Sequence, residues 1–136
     1  MKKCALLLAV LITTSMFIPT EVQAIPAFAK AFKARVTDKT KSADFVAAAT
    51  EAKCNVCHFA TPESKSKKQK NDFGKEVAKH LQKKNYTSTR IREEADAVAK
   101  EFDAAFTKIM AAKGPTGKTY QSRIDAGQLP GTVNEK

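Results

Sequence analysis

Residues 42–58 read SADFVAAATEAKCNVCH, and the fold is decided there. Ser42 is a helix N-cap residue, because its hydroxyl can accept a backbone N–H of the first turn. Phe45, Val46, Ala49 and Ala52 then recur at helical spacing and make one apolar side. The helix so predicted runs straight into two thiols three positions apart, Cys54 and Cys57, with His58 directly after the second.

That ending is the C-x-x-C-H pattern of covalent haem attachment, and the spacing has a physical reason. Two thiols three positions apart on a tight helical turn both reach vinyl groups on one edge of a porphyrin. A histidine following the second thiol then swings its imidazole under the ring toward the iron. Two other uses of such a pair fit less well. A redox C-x-x-C belongs to a thioredoxin-like βαβ unit, for which no strand pattern is present. Zinc asks for four ligands, and only His80 remains to join Cys54, Cys57 and His58. The expectation is one haem c bonded to Cys54 and Cys57, with His58 as the proximal iron ligand.

Outward from the motif, every periodic segment is helical and none alternates as a half-buried strand would. Upstream, Phe28, Phe32 and Val36 step by four after Pro26, a helix-start residue. Residues 37–41 are a polar break. Downstream, residues 61–70 form a Pro-, Ser- and Lys-rich loop. Asn71 or Asp72 then caps a helix carrying Phe73, Val77, His80 and Leu81 on one side. After an interruption at residues 85–88, the clearest helix carries Ile91, Ala95, Val98, Phe102, Ala105, Phe106 and Ile109, and Gly114-Pro115 stops it. A short last helix is predicted over about residues 117–126. The fold class is all-α, with four to five helices around the cofactor. Phe45, Phe73, Phe102 and Phe106 are the expected wall of its pocket.

The chain of 136 residues opens with Lys2-Lys3, an apolar run from Cys4 to Ile18, Pro19, and a small-residue ending at Ala24. This is the layout of an export leader, and the run is shorter than the roughly 20 residues that span a bilayer. The expected division is a cleaved signal peptide over 1–24 and a single haem domain over 25–136, exported to a periplasm and without a transmembrane segment. Removing the leader leaves 22 basic and 13 acidic side chains, a net +9. Such a charge favours acidic partners. Export makes nucleic acid the least expected of them, and the charge alone does not choose between an anionic membrane surface and a redox protein with an acidic docking patch.

The motif, the helix before it and the helix-rich remainder resemble the monohaem class I cytochrome c family. More closely, the chain is similar to a group of small secreted bacterial haem proteins of poorly defined role. The similarity rests on Cys54–His58, the lysine-rich Lys65–Lys68, the Asn-x-aromatic-Gly start Asn71–Gly74, and the Leu-Pro-Gly ending Leu129–Gly131. It covers roughly residues 45–131. The resemblance implies a single-electron carrier cycling Fe(III)/Fe(II) rather than an enzyme, weak peroxidase activity aside. It also implies a sixth iron ligand on the far side of the ring, normally methionine. Met110 is the one methionine after the leader, although it falls near a helix end where the family places an extended loop. His80 is the alternative. A third possibility is that neither binds, leaving an open iron that takes a diatomic gas or peroxide as a sensor or peroxidase-like protein.

Two lesser features were weighed. Lys65, Lys67, Lys68 and Lys70 either form a basic collar that steers a partner or simply keep a loop solvated. Residues 114–119 (GPTGKT) have two residues between their glycines where a phosphate-binding loop has four. They are read as a helix stop and the cap of the next helix.

Overall fold

The helix announced by Ser42 forms as read. A computed structural model describes residues 24–59 and 69–132. In it α2 spans Ala43–Ala52, and the Ser42 hydroxyl accepts the Phe45 N–H at 3.3 Å. Ahead of it, α1 (Ala24–Phe32) continues into a wider π-type turn over Lys33–Thr37. That turn buries Val36 and sends Arg35 across to Asp103 and the Ala99 carbonyl. After the motif, α3 covers Asp72–His80, and its cap is Asn71 rather than Asp72: the Asn71 side-chain oxygen accepts the Gly74 N–H at 2.8 Å.

One expected helix proves to be two. The run from Ile91 to Ile109 is divided into α4 (Ser88–Glu93) and α5 (Ala95–Ala111) by Glu94, whose backbone sits at φ −115°, ψ 38°. The break has a tertiary cause. It folds Arg90 onto Glu101 and over the Tyr86 ring, 5.5 Å from its centroid. Beyond α5, the Gly114–Thr119 stretch is a turn in which Gly117 takes φ +76° and Lys113 pairs with Thr119. It ends in the Thr119 cap of α6 (Tyr120–Asp125). The last helix is shorter than expected because that pairing holds residues 113–119. Among the described residues there are six α-helices and no strand, so the chain is all-α. None of these helices is long and apolar enough to cross a membrane. The leader expected over 1–24 lies outside the described residues except for Ala24, as does most of the lysine-rich loop, residues 60–68.

α5 is the central element and packs against α1, α3, α4 and α6. Its inner face buries Val98, Phe102, Ala105, Phe106, Ile109 and Met110. Around it the aromatic rings meet each other. Phe28, Tyr86 and Phe102 lie with centroids 5.0–5.8 Å apart. Phe32 touches Phe45, Phe73 and Phe106 at 5.7–6.4 Å, and Phe73 meets Tyr120 at 5.1 Å. The four phenylalanines expected to line a cofactor pocket are thus spent on a closed core; Phe45 and Phe73 are wholly buried. Edge-to-face rings at this spacing add about 0.5–1.5 kcal/mol each beyond their area burial, which favours closure over an open aromatic cleft.

The chain ends as a strap. Gly127 (φ +77°) terminates α6, and residues 129–132 return over the start of α3 with Pro130 and Gly131 buried. The Thr132 N–H and hydroxyl both donate to Asp72 Oδ1, at 2.6 and 2.8 Å.

Candidate functional site

The motif begins on a 3₁₀ turn over Lys53–Val56 at the end of α2, with Cys57 as its C-cap and His58 directly after. Lys53 begins that turn with φ 50°, ψ −115°, the one non-glycine residue with positive φ among the described residues. This sharp reversal stops α2 and turns the chain outward. The Cys54 carbonyl then accepts both the Cys57 and the His58 N–H, at 3.2 and 3.1 Å. Val56 points into the core, Cys54 is exposed, and Cys57 and His58 are partly buried. Both thiols are free.

The turn is held from behind by residues 69–74. The Asn71 N–H donates to the Cys57 carbonyl, and the Phe59 N–H donates to the Gln69 carbonyl, each at 3.1 Å. His58 and Lys70 form an antiparallel bridge. Asn71 is wholly buried, and its amide nitrogen lies 3.0 Å from the Val56 carbonyl and 3.3 Å from that of Asn55. Gly74 lets α3 come this close, since a Cβ there would fall 2.0 Å from the Cys57 oxygen. A Cβ on Gly131 would likewise strike the Asn71 amide at 2.3 Å.

His58 Nδ1 sits 3.2 Å from the Gln69 carbonyl. A carbonyl can only accept, so this contact requires the proton on Nδ1 and leaves the lone pair on Nε2. A backbone acceptor behind one nitrogen is the usual way an imidazole is oriented to bind metal through the other.

The donor set can be tested against two chemistries. A zinc site needs its ligands gathered on one point. Among the described residues no group of three or more His, Cys, Asp or Glu is placed to hold a metal ion. A reactive redox thiol needs a lowered pKa. Burial first, and then the neighbouring Cys54, push the Cys57 thiol the other way, up to about 12. What the described residues present is two free thiols on one turn beside an oriented imidazole.

The two candidate sixth ligands lie elsewhere. His80 is at the far end of α3, nine residues from the cap, with Nε2 3.3 Å from Glu76 Oε1. Lys79, through a 2.6 Å contact, and His80 together hold the Glu76 carboxyl below its ordinary range. Met110 is buried on α5 and lines an open groove of about 590 Å³ with Arg35, Val36 and Phe106; none of Cys54, Cys57 or His58 lines it. Of the sequence-level candidates, the structure therefore brings together only Cys54, Cys57 and His58. Residues that sequence reasoning did not assign to the site are Gln69, Asn71, Gly74 and Gly131. The Asn71–Gly74 and Leu129–Gly131 motifs were visible, but nothing local ties them to the cysteines. The chain matches no protein-family model, no curated protein and no solved structure.

Proposed function

We propose that the chain is an exported monohaem c-type protein that carries single electrons, with the haem bonded to Cys54 and Cys57 and bound through His58. The observation that carries this reading is the His58 ring. It stands beside two free thiols on one turn, with Nδ1 on the Gln69 carbonyl and Nε2 left for a metal. A haem held there supplies a one-electron Fe(III)/Fe(II) couple. The protein's own part is to bind and orient. Cys54 and Cys57 would hold the haem through one thioether each, and His58 Nε2 would face its iron. The Gln69 carbonyl keeps the imidazole in one tautomer and enriches Nε2. Exposure of Cys54 favours a porphyrin edge at the surface, where an electron can leave. Lys53 and Lys70 are exposed beside the motif. They would meet a redox partner with an acidic patch, in the periplasm.

The test is to express the chain with haem-attachment machinery and denature it. One haem retained per chain, lost on replacing both cysteines by serine, is the expected result; no retained haem ends the proposal.

A second reading has its own support. His80 is engaged by Glu76, and Met110 faces a groove that Cys54–His58 do not border. This favours a far side of the iron free to take a diatomic gas or peroxide. Spectra of the reduced protein with and without carbon monoxide choose between the two. Sharp low-spin bands that ignore the gas support the electron carrier; a high-spin spectrum that shifts supports ligand binding.

A further inference from the structure

The least expected group near the motif is Asn71. A wholly buried asparagine must satisfy its amide or pay for its desolvation, and this one spends its amide on the motif. Its oxygen caps α3 at Gly74, while its nitrogen reaches the carbonyls of Asn55 and Val56, the two residues between the cysteines. Its backbone N–H takes the Cys57 carbonyl as well. All three carbonyls of the turn after Cys54 are thus held by one residue. Gly131 presses on its amide, while Gly74 brings the start of α3 against the Cys57 carbonyl. The 129–132 strap, tied to Asp72 through Thr132, closes the seat.

We propose that Asn71 is the positioning residue of the attachment turn: it fixes the Asn55 and Val56 carbonyls, and so sets Cys54 outward and Cys57 inward before any haem is bound. The purpose of this clamp rests on the haem-attachment reading; its existence does not. A turn set in advance would let the second thioether form after the first without refolding the turn.

The test begins with the haem-free chain, made in the cytoplasm, in which alkylation of each cysteine is followed by mass spectrometry. In the parent, Cys54 reacts faster than Cys57. Asn71→Asp keeps the shape and the α3 cap, for which Asp and Asn are equivalent, but turns a donor toward two carbonyls into an acceptor. Cys57 alkylation is expected to rise roughly tenfold against Cys54, as local opening becomes easier, with helical circular dichroism retained. Asn71→Ser removes the donor without adding charge and is expected to do the same. Unchanged Cys57 protection in a folded variant would falsify the proposal. Should both variants fail to fold, the parent alone decides. Slow hydrogen exchange of the Asn71 side-chain amide supports the clamp, and exchange at the solvent rate overturns it.

In chains matured with haem-attachment machinery, the variants should accumulate a species bonded through Cys54 alone. Variants bonded through both cysteines as fully as the parent would overturn the positioning role. If the parent takes up no haem while Asn71 substitution still exposes Cys57, the clamp stands and the haem reading falls.

Discussion

At the residue scale, Gly74 shows how context reverses a general preference. In an exposed helix interior, Gly→Ala gains about 1 kcal/mol from helix propensity. Here the added methyl would fall 2.0 Å from the Cys57 carbonyl oxygen, and both partners are backbone, so neither can swing aside. Gly74→Ala is therefore expected to lower stability by about 1–3 kcal/mol or more, as overpacking does, in a urea melt of the haem-free chain. A neutral or stabilising result would mean that α3 and the cysteine turn are not in contact. Lys53 poses the complementary case. Its φ of 50° suits glycine, yet nothing in the sequence around it marks a reversal. The cysteines and His58 were legible as a site because C-x-x-C-H is a local pattern. Gly74 was legible only as part of a resemblance.

At the element scale, Ser42 was a readable cap and Asn71 one of two candidates, and each accepts an N–H three residues on. Thr119 closes the stretch read as a helix stop and cap, while the Thr87 cap of α4 was not singled out. Ser42→Ala leaves that donor of α2 without its partner and is expected to cost about 1 kcal/mol, measured as a shift of the urea midpoint at unchanged slope. Because α2 leads into the motif, the same change should loosen the turn from its upstream side; a midpoint that does not move would show the cap to be idle. The break at Glu94 was not readable. Ile91 to Ile109 keeps helical spacing throughout, and what divides it is Arg90 reaching Glu101, eleven positions away, and Tyr86 beneath it. Pairing across the bend outweighs the small gain of one more helical turn, which propensity alone would take.

At the scale of the molecule, the helices bury their aromatic rings against one another. Rings from α1, α2, α3, α5 and α6 contact one another, and Phe45, Phe73, Leu81, Ile109 and Ile124 are fully buried. Phe45, Phe73, Phe102 and Phe106, expected to wall a cofactor pocket, are buried among the helices' own side chains. The haem-free chain should accordingly be helical and unfold in one cooperative thermal transition. A broad, non-cooperative melt with exposed apolar surface, as in a molten globule, would mean that the core needs its ligand.

The helical class, the Ser42 cap and the C-x-x-C-H pattern of Cys54, Cys57 and His58 were determined by the sequence alone. Each depends on residues within a turn or two of one another, where spacing dictates geometry. Only the tertiary structure decided that the phenylalanines face each other, that Arg90 splits a helix, and that Asn71 sits behind the cysteines. These depend on meetings across 11, 16 and, for Thr132 with Asp72, 60 positions. No local period encodes which buried ring or amide will meet which. That is settled by whichever packing leaves the fewest voids and unpaired polar groups.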